Sequence, residues 1–117
     1  MFPIFNRFGK TIAWMREQNI FYLNGRHAAF LREGSIFNHN GRHLGIIDRG
    51  FIRDHNGHVV AFMRGATGGP IPPIPEIPPI PPIPNIPPIP AIPSIPPIPA
   101  IPSFNWSNME WDVFIMG

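Results

Sequence analysis

The first half of the chain carries one pattern of apolar, polar and small positions four times over, with a period of sixteen residues. Ile4, Ile20, Ile36 and Ile52 keep that spacing, and so do Gly9, Gly25, Gly41 and Gly57. Before the glycine stands Phe8, Asn24, Asn40 or Asn56, and after it Lys10, Arg26, Arg42 or His58. Further on comes a small residue, Ala13, Ala29, Gly45 or Ala61. A period this short is too small for a helical hairpin, and Asn-Gly between apolar runs is the strongest short-range sign of a two-residue type I′ turn. Each unit therefore predicts one β-hairpin with its turn at the glycine. Turn formers at the junctions (Gln18-Asn19, Glu33-Gly34-Ser35 and Arg49-Gly50) extend this to an eight-stranded antiparallel meander. An open sheet would leave two edges, so closure or near closure about an axis is expected.

The predicted turn sets which residues share a face. Ile4, Ile20, Ile36 and Ile52 fall opposite Ala13, Ala29, Gly45 and Ala61, with Met15, Leu31, Ile47 and Met63 beyond, a set suited to a crowded axis. The other face is expected to pair Phe5 with Ile12 and their equivalents, and it carries Phe21, Phe37, Trp14, Phe30, Ile46 and Phe62. Both faces are apolar. A half-exposed sheet has one polar face, so something must cover each side: the tail, another subunit, or a lipid or hydrophobic ligand.

Residues 71–103 are eleven Ile-Pro-X triplets. Proline fixes φ and forces the preceding isoleucine extended, so polyproline II is the regular conformation open to this arm. With three residues per turn, all the isoleucines fall on one stripe of a rod on the order of 100 Å long. A free spacer has no need of such a stripe, and burial of the isoleucines by docking or self-association is the expectation. The absence of glycine excludes collagen, and SH3-type recognition is weak because no Lys or Arg closely flanks the run. After the arm, Ser107 and Glu110 form a capping-box pattern that predicts a helix of about two turns carrying Met109, Val113, Phe114 and Ile115. So short a helix must dock, with Trp106 and Trp111 as anchors. The organisation read from the chain is a hairpin domain at 1–67, an arm at 68–103 and an aromatic latch at 104–117.

Composition adds limits. The chain has 117 residues, 18 of them proline, and no cysteine. There is room for one small domain and none for a large enzyme, a disulfide scaffold or a thiolate metal site. The net charge is +2, divided unevenly. Nine bases stand against four acids from Arg7 to Arg64, and three acids stand without a base from Glu76 onward. The N-terminus has no secretory pattern, and prolines bar the Ile-Pro run from spanning a bilayer. The expected location is cytoplasmic, at most peripheral to a membrane.

The four hairpins with their repeated Asn-Gly, the proline-rich segment and the closing Trp106-Ser107 together resemble the bacterial four-fold β-flower proteins. The resemblance implies an all-β, shallow pseudo-fourfold barrel with one hairpin per petal. Its similarity to tubby-like barrels implies, by fold analogy alone, contact with lipid headgroups. The chain departs from the ideal repeat at Phe8 (for Asn), Arg53 (for Phe) and Asp48 (for Arg), positions that could mark a seam or a site.

Candidate chemistry is sparse. His27 and His43 occupy equivalent sites, His39 and His55 are expected on the opposite face, and only His55 and His58 should pair across a turn. A structural or solvent-exposed role is favoured over a metal site at His55, His58 and Asp54. Asp48 and Asp54 read as partners for Arg49 and Arg53 rather than as an acid/base pair. No phosphate loop or nucleophile motif is present, so no cofactor is expected and the chain reads as a non-enzyme. Arg7, Lys10, Arg26, Arg42 and His58 recur by symmetry as a basic rim at the petal turns, suited to anionic lipid headgroups or an acidic partner; solubilisation of exposed turns is the simpler reading. Trp14, Phe30, Phe62, Trp106 and Trp111 are the candidate hydrophobic docking residues. Nucleic acid is disfavoured because the aromatics lie within strands rather than between the basic residues. The functional expectation is a self-associating or partner-binding module, a homo-oligomer or one half of a hetero-complex, with anionic membrane lipid or a hydrophobic ligand as the alternative.

Overall fold

In the computed structural model, which describes residues 1–117, the four repeats fold into eight strands: β1 (Phe2–Phe5), β2 (Thr11–Arg16), β3 (Asn19–Tyr22), β4 (His27–Arg32), β5 (Ser35–Phe37), β6 (His43–Asp48), β7 (Phe51–Arg53) and β8 (Val59–Phe62). Each strand pairs with its chain neighbours, and Phe5 against Phe62 joins β1 to β8, so the barrel is closed. Closure removes both sheet edges, as four equal hairpins permit. The molecule is a flat body with Cα extents of 36 × 36 × 21 Å.

The register at the axis is the expected one. Ile4 faces Ala13, Ile20 faces Ala29, Ile36 faces Gly45 and Ile52 faces Ala61. All eight are buried. The small partner lets neighbouring strands converge while the isoleucines fill the centre.

The petal turns differ from the expected type. Asn6 N–H donates to Lys10 O and Gly9 N–H donates to Asn6 O, each at 2.9 Å. The loop thus has three residues, 7–9, ending on Gly9 at φ +80°. This is a type I turn followed by a left-handed glycine, and the same bonds recur at Tyr22–Arg26, Asn38–Arg42 and Asp54–His58. In three petals the residue before the loop caps it; the second petal has Tyr22 there and makes the same turn, with Asn24 Oδ1 accepting from Arg26 N–H. Asn6 Oδ1 accepts from the amides of Phe8 and Lys10, Asn38 Oδ1 from Asn40 and Arg42, and Asp54 Oδ1 from Asn56 and His58. The longer loop shifts the register, so Phe5 faces Thr11 rather than Ile12. The extra residue of each bulge, Ile12, Ala28, Leu44 or Val60, thereby joins the core. Type I′ geometry stands instead at the second and third junctions: Glu33 and Gly34 have φ of +50° and +82°, and Arg49 and Gly50 have +49° and +86°.

The helix α1 (Trp111–Met116) is close to the two turns expected but starts later than the capping box predicts. Its N-cap Glu110 makes no side-chain cap bond, and the Ser107 hydroxyl is spent on Asp54 Oδ2 at 2.6 Å. Trp111, Phe114 and Ile115 are buried against Ala28, Leu44 and Val60, plugging the mouth on the side of the petal turns. Met109 and Val113, expected in that contact, are 42% and 60% exposed. Gly45 makes room for the plug: a Cβ there would lie 2.9 Å from Phe114 Cε1.

Candidate functional site

The arm answers what covers the outer sheet face. From Gly68 and Gly69, beyond β8, it returns to the first petal and travels round the barrel again in petal order. Glu76 N–H donates to Gly9 O, Asn85 N–H to Gly25 O and Ser94 N–H to Gly41 O, each at 2.8 Å, and Ser103 N–H donates to Gly57 O at 3.1 Å. Two periods mesh here. The acceptors lie sixteen residues apart and the donors nine, so three Ile-Pro-X triplets serve each petal. At ~3.1 Å per residue, nine residues reach about 28 Å, a quarter of the roughly 110 Å perimeter of a disc of this size. The donors are four of the six X positions at which proline is replaced, Ala91 and Ala100 being the other two; proline has no N–H to give.

Each petal glycine is needed for the seat. Besides its positive φ, a Cβ on Gly9 would meet Ile74 O at 2.8 Å, and on Gly25 or Gly57 it would meet Ile83 O or Ile101 O at 2.5 Å; Gly41 is likewise closed by Ile92 O. Side chains add to the backbone bonds at two petals. Glu76 Oε2 accepts from Thr11 N–H and Ser94 Oγ from His43 N–H, both at 3.2 Å. Between the Asn85 and Ser94 anchors, Phe30 and Phe37 line a cleft of about 300 Å³ with Pro87, Pro88, Pro90 and Pro93.

The stripe points the other way from the expectation. With Pro and X turned to the barrel, all eleven isoleucines face outward, from 88% exposure at Ile101 to 96% at Ile89. The arm docks, but its apolar stripe does not. The three-residue period places one edge of the rod on the barrel, and the anchoring edge is X because only X supplies an amide in register with the glycines.

Arg53 fastens the two ends of the belt. It stands where the other petals carry Phe5, Phe21 and Phe37, and it is 1% exposed. Its Nη1 donates to Gly57 O at 2.6 Å and to Ser103 O at 2.7 Å, and Nη2 donates to Gly68 O at 3.0 Å. Asp54, its expected partner, is taken by Ser107 and the turn amides; Asp48 does pair with Arg49, at 3.4 Å. Burial, with a smaller contribution from Arg49 and against the pull of Asp48, lowers the Arg53 pKa.

Four of the five histidines form two pairs across petal seams, whose members the two-residue turn had placed on opposite faces, and His55 pairs with His43 rather than with His58. His27 Nδ1 is 2.7 Å from His39 Nε2, and His43 Nδ1 is 3.0 Å from His55 Nε2; both pairs of rings are stacked. The outer nitrogens reach Asn19 Oδ1 at 2.9 Å and Ser35 Oγ at 3.2 Å. Burial, then the neighbouring ring, lowers the His27 pKa from 6.5 to about 4 and lowers that of His43.

Arg7, Lys10, Arg26 and Arg42 are exposed at the petal turns, none in an ion pair, and His58 is half-buried among them. They flank the anchoring glycines, so the cations border the belt. Phe8 and Phe104 are exposed beside them, at 77% and 72%. Trp14 is buried in the outer sheet face, and Phe30 is half-buried under the arm. Trp106 packs on Phe62 with ring centroids 6.1 Å apart and bridges to Val59, while Trp111 stacks on Phe114 at 5.7 Å. Sequence reasoning missed the anchors Glu76, Asn85, Ser94 and Ser103. Their nine-residue spacing against the sixteen-residue repeat was the available signal. No helix is long and apolar enough to cross a membrane.

No curated protein and no solved structure matches the chain. The repeat of four hairpins closed into one shallow barrel agrees with the family comparison. The sequence profile described as 4-fold beta flower protein matches residues 2–115, and the chain belongs to that family.

Proposed function

We propose that this β-flower is a docking module, not an enzyme, and that the outward isoleucines of the arm are its binding surface. The observation that carries the reading is the exposure of all eleven isoleucines on a segment held in place at every petal. Burying an isoleucine contributes about 1.5–3 kcal/mol. A chain that fixes eleven of them on its outside forgoes that gain unless a partner supplies it. Their combined apolar area is on the order of 1,000 Å², spread round the perimeter of the barrel.

The polar side chains support a binding role by how they are used. His27 and His43 are committed to Asn19 and Ser35, Asp54 to Ser107, Glu76 to Thr11 and Arg53 to three carbonyls. These groups hold the belt and the seams together, which leaves them without a free position from which to act on a substrate. The test compares the full chain with an Ile77→Ser, Ile80→Ser, Ile86→Ser, Ile89→Ser variant, using light scattering for self-association and co-sedimentation for vesicle binding. Wild-type protein is expected to associate in at least one assay and the variant in neither. A wild-type chain that stays monomeric and leaves every vesicle unbound overturns the reading.

A further inference from the structure

We infer that the partner of the belt is the surface of an anionic lipid bilayer, against which the flat molecule lies with its petal turns and α1 toward the lipid. The inference rests on the reading of the belt as a docking surface and adds its occupant. Three observations choose it over a second copy of the chain.

The first is the course of the belt. It follows the petals round the perimeter, so a globular partner at one edge reaches about a quarter of it, roughly three isoleucines. At on the order of 100 Å² each, these fall well short of the ~800 Å² per partner of a standard interface. A bilayer interface is continuous in its own plane and takes up the whole circumference at once.

The second is charge. Lys10, Arg26 and Arg42 each directly follow an anchoring glycine, and Arg7 shares the first of these turns, so exposed cations without ion-pair partners border the belt on three petals. A second copy brought edge to edge would set these cations against their own equivalents, which like-charge repulsion opposes. Anionic headgroups complement them, and the isoleucines enter the apolar layer just below.

The third is the face that α1 occupies. Its buried side plugs the barrel, and its outer side presents Val113 at 60% and Met116 at 76% exposure. Met116 and Ile115 share a cleft with Arg26 and Asn40 of the turns, and Trp111 shares one with Phe8, Lys10 and Leu23. Exposed apolar side chains at Phe8, Leu23 and Met116 thus share clefts with the cations of the turns on the side that α1 plugs. The exposed carboxylates of Glu110 and Asp112 share the cleft with Lys10, but Arg7, Lys10, Arg26 and Arg42 outnumber them, so the surface combines apolar insertion with a cationic excess.

Full-length protein is mixed with phosphatidylglycerol/phosphatidylcholine vesicles and with phosphatidylcholine vesicles, at low and high salt, and the bound fraction is read after flotation. Binding is expected on the anionic vesicles, weaker at high salt and weaker still without phosphatidylglycerol. An Arg7→Ala, Lys10→Ala, Arg26→Ala, Arg42→Ala variant should lose at least about tenfold in affinity. The four-isoleucine serine variant should lose at least as much at low salt. Its substituted positions are each more than nine-tenths exposed and lie outside the anchoring triplets, and near-UV circular dichroism checks that the barrel is intact. Equal binding by both variants, or no vesicle binding by the wild type, overturns the inference. In the latter case, oligomers in light scattering leave the docking reading standing, and a monomer removes both.

Discussion

The guanidinium of Arg53 donates to the carbonyl of Ser103 at 2.7 Å, and through this bond a buried cation in the barrel wall holds the far end of the arm. The same side chain reaches Gly68 O, where the arm leaves the barrel. Petals one to three carry phenylalanine at this position because the arm passes them only once. The fourth is where the circuit starts and finishes, and a planar fork with several donors suits two strands of carbonyls better than a ring does.

Replacing Arg53 by methionine keeps most of the volume and removes the fork. Hydrogen bonds to charged groups contribute about 1.5–3 kcal/mol each. The carbonyls freed at the arm ends regain water once the belt loosens, so a net loss of about 3 kcal/mol is expected in urea unfolding. The loosening should be visible in hydrogen exchange, with the amide of Ser103 losing protection while those of the buried strand residues Ile20 and Ile36 keep theirs. Unchanged protection at Ser103 would show that the arm is held without Arg53.

The petal glycines separate backbone strain from arm seating. Gly41 has φ +82° and is closed by Ile92 O, whereas Gly65 has φ +77° with nothing near its Cβ position. Gly65→Ala should cost only the left-handed strain, about 1–2 kcal/mol. Gly41→Ala bears the same strain and also pushes the arm away, so it should cost more and expose the Ser94 amide to exchange. Equal costs at the two sites would mean that the arm contributes nothing at this petal.

The histidine pairs make stability depend on acid. In the unfolded chain His27 takes its proton near pH 6.5, and in the fold only near pH 4. Between those values the unfolded state binds more protons, so stability falls as pH falls through this window and levels off below it. The full effect from His27 is on the order of 3 kcal/mol, and His43 acts in the same direction. The repeat offers its own control, since Val59 stands in the fourth petal at the position of His27, and Leu23 in the second at that of His39. A His27→Val, His39→Leu variant should lose less stability between pH 7 and pH 4 in urea titrations than the wild type does. An identical pH profile would show that the seam does not resist protonation.

Much of the fold was legible in the repeat, because the sixteen-residue period carries both the strand alternation and the small residues at the axis. The turn type was not, because Asn-Gly also fits a three-residue loop, and in three petals the capping side chain, Asn6, Asn38 or Asp54, lies one residue before the loop. That single residue moved the histidines from opposite faces into pairs. The arm was legible as a rod with one stripe, but which edge docks depends on amides. Counting apolar surface favoured the isoleucines, whereas pairing the free N–H groups of Glu76, Asn85, Ser94 and Ser103 with the glycine carbonyls would have turned them outward. Arg53 was visible as a departure from the repeat, and its role needed the path of a segment fifty residues away.

The last departure from the repeat is Gly45, where the other petals have alanine. A methyl group there would press on Phe114, with Cε1 at 2.9 Å and Cζ at 3.0 Å, and on the carbonyl of Arg53 across the sheet. Phe114 is 2% exposed and sits at the centre of the plug. It cannot retreat without opening the mouth of the barrel. Gly45→Ala should therefore destabilise the protein by about 1–3 kcal/mol through overpacking, although alanine favours regular structure more than glycine does. A second substitution, Phe114→Leu, removes the ring edge and should recover part of the loss in the double variant, while costing stability by itself because it leaves a cavity. Additive losses in the double-mutant cycle, measured by urea unfolding, would place the cost of Gly45→Ala in the contact with the Arg53 carbonyl and not in the plug.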